Sequence, residues 1–543
     1  MTGDAALLLV LATRELILLA GIGLLISGLD DLAVDMAWLA GRPGARRHGA
    51  VAAEDLVTAA PGRFAVLVPA WDEGELVGAM LRRLLATQDH PGLAVFAGVY
   101  PNDPATHAAV AALEDPRLRI VVTPRPGPTS KADCLNALWR AALAHEAQTG
   151  ARFKAMVLHD AEDVVHPLEL RVFDALIPRL GLVQLPVVPL ADPDSRWVAG
   201  HYLDEFAESH GKDLVVREGM GAGLPSAGVA TAIERTLLGR IARARGGEPF
   251  DPTCLTEDYE LGLAAARMGA RGALVRVRDR SGALVATREH FPAGFAAAVR
   301  QKSRWLAGIA LAGWERTGWA PGAAEAWWRW RDRKPVLGAP LTLMAWVALA
   351  LGLAIAAARA AWPQAWAGVP ALVREGSALA WLLATNGALM AWRLAVRAAF
   401  TAREHGWREG LRAVPRALVA NAINIAAMAR AWRRWAAARA RGGPPAWEKT
   451  AHRFPGLAPG GPGRVGTRQA GATGSSLGPG GRGTGGAASQ PGAIGGLGAA
   501  MAQADERRPA YWGGSRNMLH QERATCRGPA PRGAGAASAG VAP

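Results

Sequence analysis

Apolar length is the strongest constraint on what this chain can fold into. Ala5 to Ile26 runs for 22 residues, apolar except for Thr13, Arg14 and Glu15, and Val336–Ala358 and Ser377–Phe400 repeat the pattern. A helix needs about 20 such residues to cross a bilayer. Met1-Thr2-Gly3-Asp4 carries no basic residue and the first stretch outruns a signal-peptide core, so a retained span is expected. Arg14 and Glu15 are ionisable within that span and are expected to face other helices or water. Arg42, Arg46 and Arg47 follow the first stretch, and Arg329, Arg331, Arg333 and Lys334 precede the second. Basic residues beside spans mark the cytoplasmic side, which places the intervening region there. Ala417–Ala429, bracketed by Arg416 and Arg430, is short for a crossing and reads as an interfacial helix, with a further span as the alternative.

The net charge of +15 raises the question of nucleic acid, but the basic residues group into no nucleic-acid module and sit beside the apolar segments. Fifteen of the 20 Trp residues fall between Trp305 and Trp447, matching the preference of indole for the headgroup level. Cys134, Cys254 and Cys526 have neither metal spacing nor an even count, so no disulfide framework is implied.

Between the apolar blocks the pattern changes to alternating strands and helices. Strands are expected at Phe64–Pro69, Leu93–Val99, Leu118–Val122 and Phe153–Leu158, with helices at Gly74–Thr87 and Lys131–His145. Such alternation predicts an α/β domain with a mainly parallel sheet and its site at the carboxyl ends of the strands. The expected organisation is a spanning helix over 1–30, an interfacial linker over 31–61 and the α/β domain over 62–320. A basic interfacial segment over 321–335, two spans over 336–400 and an interfacial helix or further span over 401–455 follow. From 456 to 543 the chain is rich in Gly, Ala and Pro without apolar periodicity, and is expected to be disordered. A C-terminal domain lost by frameshift would leave the same signature.

Chemistry concentrates at element ends. His159-Asp160-Ala161-Glu162-Asp163 closes the fourth strand, and acids spaced this way can converge on Mg²⁺ or Mn²⁺; the alternative is a solvated loop. Asp72 and Glu73 follow the first strand and Asp103 the second, where they are placed either to accept from a base or ribose or to make turns. Ser130-Lys131 opens a helix whose N-terminus suits a phosphate, although Ser130 and Asp133 also read as a capping box. Glu257 and Asp258 start the helix expected over Tyr259–Met268, as dipole partners or as a proton acceptor. Gln301, Arg304 and Trp305 share one face of an amphipathic helix.

The order of these elements, with membrane spans after them, resembles the membrane-embedded family 2 glycosyltransferases, whose relatives include cellulose and hyaluronan synthases. It is similar in particular to the inner-membrane glycosyltransferases of the bacteriophage adsorption protein B (NfrB) type. That similarity is carried by Gly28-Leu29-Asp30-Asp31-Leu32, Tyr100-Pro101-Asn102-Asp103-Pro104, Tyr202-Leu203-Asp204-Glu205-Phe206 and Trp447-Glu448-Lys449-Thr450-Ala451-His452. The resemblance implies a GT-A fold, a nucleotide-diphosphate sugar and a divalent cation, Mg²⁺ or Mn²⁺. By motif match it makes Asp160 and Glu162 the metal acids, with Asp163 as the rival second ligand. It makes Asp258 the general base, beside Glu257, and assigns Gln301, Arg304 and Trp305 to acceptor and donor diphosphate. Asp72, Glu73, Asp103 and Lys131 would serve the donor. The expected protein is an inverting, multi-pass transferase of the bacterial inner membrane with a cytoplasmic catalytic domain. It would extend a glycan for export to the envelope with an outer-membrane export partner, among membrane lipids and without nucleic acid. A single transfer to a lipid or polyprenyl-phosphate acceptor is the alternative activity, and a non-enzymatic envelope or phage-entry component is the alternative outside enzymes.

Overall fold

The computed structural model describes residues 3–41, 52–58, 60–443 and 453–455. Arg42, Arg46, Arg47, Trp447–His452, Cys526 and the expected disordered tail lie outside the described residues.

A long helix, α1 (Gly3–Leu39), precedes the α/β region. That region opens with β1 (Phe64–Pro69), α2 (Val77–Thr87), β2 (Leu93–Val99), α3 (Pro104–Ala111), β3 (Leu118–Val122), α4 (Lys131–Thr149) and β4 (Ala155–Leu158). It continues through α5 (Glu169–Leu176), β5 (Leu182–Gln184), β6 (Val187–Pro189), α6 (Gly200–Glu208), α7 (Leu214–Gly219) and β7 (Thr231–Glu234). Then come α8 (Arg235–Ala244), α9 (Glu257–Arg267), β8 (Gly272–Leu274), β9 (Thr287–Glu289) and α10 (Phe295–Leu306). The chain goes on through α11 (Ala312–Thr317), α12 (Ala323–Arg333), α13 (Pro335–Ala361), α14 (Ala378–His405) and α15 (Trp407–Ala440).

Seven strands form one mixed sheet in the order β3-β2-β1-β4-β7-β5-β8. β1 pairs in parallel with both β2 and β4, whereas β7 runs antiparallel to β4 and β5. The unbroken apolar runs of β1, β2 and β4 follow from this: helices cover both faces, so nearly every side chain is buried. One core joins α2, α3 and α5 to the sheet, and the other joins α4, α8 and α9. The chain moves outward from β1 to β2 and β3, then returns to place β4 on the other side of β1. At such a switch point the connections diverge and leave a crevice outside the carboxyl ends of the strands. The segments after β1 and β4 that carry Glu73 and Asp160 both open there.

Among the described residues, three helices are long and apolar enough to cross a membrane: α1, α13 and α14. Arg14 donates to the carbonyl of Leu372 between α13 and α14, so it faces protein. One expected boundary moves, and two expected segments acquire partners. The linker expected over 31–61 begins as helix, because α1 runs unbroken to Leu39 with Asp30, Asp31 and Asp35 on it. The basic segment over 321–335 is not a free flank: Arg329 and Arg333 are buried, and Arg331 and Lys334 pair with Asp30 and Asp31. The segment 417–429 is the middle of α15, a helix of 34 residues packed on α14, α10 and α6. Arg416, read as a flank, is fully buried and pairs with Asp204 at 2.7 Å and Glu409 at 2.6 Å.

Candidate active site

The crevice is a cavity of about 370 Å³. Its walls bring together Glu73, Lys131, Asp160, Glu162, Glu257, Asp258, Gln301, Arg304 and Trp305, from segments far apart in the chain. Local physics explains each placement. Ser130 caps α4 with Asp133 completing a capping box, and this fixes Lys131 at the first turn facing the acids. Asp160 lies two residues past the end of β4, and Lys131 Nζ lies 2.5 Å from its Oδ1. Asp258 sits in the first turn of α9, its Oδ1 accepting from the Tyr259 N–H at 2.7 Å. Opposite it, Gly228 has φ +77°, and a Cβ there would lie 2.5 Å from Asp258 Oδ2. Both the left-handed backbone and the close approach require glycine at this position.

Three predicted residues are not in the cavity wall. Asp103 is the N-cap of α3: its Oδ1 accepts from the Thr106 N–H at 3.2 Å and its Oδ2 from the Asp72 N–H at 2.6 Å. The turn reading therefore describes Asp72, with φ 55°, and Asp103. Asp163 is fully buried, its Oδ2 accepting from His159 Nδ1 and the Asp160 N–H at 2.6 and 3.0 Å. His159 Nε2 reaches Glu169 at 2.6 Å, and these two carboxylates outweigh burial to hold the imidazole pKa up at about 10. Asp163 thus fixes the loop from behind, while Glu162 faces the cavity with Asp160.

Charge in the cavity is unbalanced. Burial opposes a charge on Lys131, but Asp160, Glu257 and Asp258 outweigh it and hold its pKa well above the ordinary value. Burial and the adjacent Asp258 push Glu257 up to about 7, against the pull of Lys131. Asp258 is also raised by burial, with Lys131, the Tyr259 N–H and Arg304 pulling it back. A further raised acid is Glu289 at the end of β9, which no sequence signal singled out. Burial and the charges of Asp163, Glu162 and Asp160 hold it well above the carboxylate range.

The donor set facing the cavity fits a hard divalent cation. Asp160 and Glu162 offer carboxylate oxygens, and the negative crowding around Glu289 is what a cation would relieve. Among the described residues no three His, Cys, Asp or Glu side chains form a ready-made metal cage. Two protein acids leave coordination positions for a diphosphate, the usual pattern for Mg²⁺.

The far wall is built by α6 and α10, each continued by a π turn, Ser209–Asp213 and Ala307–Leu311. Such turns re-aim side chains within a helix. Trp305 packs edge-on against Tyr202, Phe206 and Phe291 at 6.1–6.4 Å between centroids. Gln301 is 4 % exposed and its Oε1 has no partner among the described residues. Sequence reasoning missed Glu205, Phe206, Ser209 and His210, which also line the cavity.

Residues 61–308 match the family model described as glycosyltransferase like family 2. Bacteriophage adsorption protein B of Escherichia coli (strain K12) is 34 % identical over 456 residues, covering 79 % of this chain and 60 % of that protein. Bacteriophage N4 adsorption protein B of Escherichia coli O157:H7 matches with the same identity and coverage. The chain therefore spans 60 % of the length of the curated relatives it matches. Among solved structures, a mannosyltransferase from Pyrobaculum calidifontis in complex with GDP-Man and Mn²⁺ is similar at TM-score 0.43 and 21 % identity, over 75 % of this chain and 99 % of that one. Glucosyl-3-phosphoglycerate synthase from Mycobacterium tuberculosis is similar at TM-score 0.32 and 19 % identity, over 51 % of this chain and 88 % of that one.

Proposed function

From the premise that residues 61–308 are a family 2 glycosyltransferase domain of GT-A fold, we propose that this chain moves a sugar from a nucleotide-diphosphate sugar to a growing glycan, with inversion. One observation carries the reading: Lys131, Asp160, Glu162, Asp258, Gln301, Arg304 and Trp305 converge on a single cavity at the switch point of the sheet.

In this reading Asp258 takes the proton from the acceptor hydroxyl as that oxygen attacks the anomeric carbon. Its raised pKa suits it to hold that proton. Lys131 and Arg304 supply fixed positive charge for the departing diphosphate. A divalent cation held by Asp160 and Glu162 would neutralise further charge on the leaving group. Gln301 and Trp305 position the acceptor, the first through its unpartnered Oε1 and the second as an apolar platform. Asp72, Asp103 and Asp163 act at one remove, by shaping the turns.

The membrane part of the proposal places α1, α13 and α14 across a bacterial inner membrane, with the domain on the cytoplasmic side where nucleotide sugars are made. An envelope polysaccharide passed to an outer-membrane partner is the destination we favour. Screening UDP- and GDP-sugars for nucleoside-diphosphate release by purified full-length protein tests the activity. Release from one donor, dependent on acceptor and on Mg²⁺ or Mn²⁺, is expected; no release from any donor with any cation would refute it. A reporter fused near Gly150 tests the orientation, and activity confined to the periplasm would overturn it.

A further inference from the structure

A second cavity, of about 230 Å³, lies between the C-terminal part of α1, the last turns of α14 and the π turn that follows α6. Its walls are almost wholly apolar, built by Trp38, Leu39, Trp392, Val396 and Phe400. Trp38 and Phe400 meet edge to face at 5.0 Å, and Trp392 donates to Asp35 at 2.9 Å. Its charged lining is Asp35, Lys212 and Arg403. Lys212 is held by Asp35 and by Glu208, so its charge is already matched. Arg403 differs: it is exposed, lines the cavity and makes no ion pair or hydrogen bond among the described residues. Its neighbour Glu404 is engaged by Arg276, and the charge of Arg403 itself presses on Arg276. An apolar trough ending in an unmatched guanidinium complements an amphiphile with a negative head.

We propose that this groove binds an anionic phospholipid, with an acyl chain between Trp38 and Trp392 and the phosphate on Arg403. The inference rests on the membrane reading above, in which the trough falls at the cytoplasmic ends of α1 and α14, where indoles and basic pockets between helices meet lipid headgroups. The bound lipid supports the catalytic cavity through the π turn. A Cβ on Gly211 would lie 2.9 Å from Phe400, so trough wall and turn are in contact, and Ser209 and His210 of that turn line the catalytic cavity. Filling the trough holds Phe400 against Gly211 and thereby fixes the far wall of the site.

The test uses full-length protein in nanodiscs of phosphatidylcholine alone or mixed with phosphatidylglycerol. Retained lipid is counted by native mass spectrometry after transfer to detergent, with nucleotide-sugar turnover as a second readout. Wild type should retain phosphatidylglycerol over phosphatidylcholine and turn over faster in its presence. Arg403→Gln should weaken that retention roughly fivefold, the scale of one basic residue at a lipid surface, and Arg403→Lys should restore it. Equal retention of the two lipids, or of phosphatidylglycerol by wild type and Arg403→Gln, would overturn the proposal. Alkaline carbonate extraction of the cell membranes from which the protein is purified separates failure of the groove from failure of the membrane reading. Protein that resists extraction yet shows no lipid preference sinks the groove alone, whereas extracted protein sinks the membrane reading with it.

Discussion

Two clusters of buried charge in this molecule look alike in sequence and differ in balance. Near the cytoplasmic ends of the proposed spans, Asp30, Asp31, Asp35, Glu208 and Asp213 meet Lys212, Arg331, Lys334, Arg393 and Arg397. Five acids face five bases. Glu208 shows the effect: burial works to raise its pKa, but Arg393, Arg397 and Lys212 outweigh burial and hold it well below the usual range. In the catalytic cavity seven carboxylates (Glu73, Asp160, Glu162, Glu205, Glu257, Asp258 and Glu289) share the walls with the cations Lys131 and Arg304, and Lys302 behind the wall pairs with Glu205. There the perturbations of Glu257, Asp258 and Glu289 run upward, whereas Glu205, beside Lys302, is lowered. A balanced cluster ties helices together. A cluster with surplus charge of one sign is arranged for something that arrives from outside, and strongly shifted acids in a cleft mark such places.

Substitutions that change charge while conserving shape would break the contrast. Asp258→Asn keeps the first turn of α9 intact, and turnover should fall by about 10²–10⁴, the usual contribution of a general base, while donor binding survives. Near-normal turnover would reduce Asp258 to a dipole partner of its helix. Glu208→Gln should act on stability instead, because it leaves Lys212, Arg393 and Arg397 facing one another. Breaking a buried pair costs roughly 3–5 kcal/mol, seen as a lower unfolding temperature in detergent. A Glu208→Gln protein as stable as wild type would mean that the lattice does not bind α6 to the spans. Asp103→Ala is the mildest change: loss of an N-cap costs about 1 kcal/mol. Donor affinity should change little, and an affinity loss beyond tenfold without a change in melting would return Asp103 to the nucleotide site.

The contrast also explains what was legible in advance. β1, β2 and β4 could be read because strands buried on both faces leave continuous apolar runs, a purely local signal. Lys131, Asp160 and Asp258 were readable because polar groups at element ends are short-range features, and Gln301 because it shares a helical face with Arg304 and Trp305. Which acid of Asp160, Glu162 and Asp163 turns inward was not readable, since His159 and Glu169 decide it by capturing Asp163 in three dimensions. Glu289 left no trace, lying in a strand of three residues between Arg288 and His290. The burial of Arg416 in α15 was hidden for the same reason. Arg416 reads as a membrane flank until Asp204, far away in sequence, is found against it. Long-range charge pairing is invisible to periodicity.

The central claim is that the surplus of carboxylates awaits a cation together with a diphosphate. Equilibrium binding of UDP and GDP to full-length protein, with Mn²⁺ and with EDTA, tests it most directly, beside the Asp160→Ala variant. Wild type is predicted to bind one nucleotide only when the cation is present. Asp160→Ala, inserted normally in the membrane, should lose that cation-dependent binding. Nucleotide binding that is equally tight in EDTA, or unchanged in Asp160→Ala, would contradict the account.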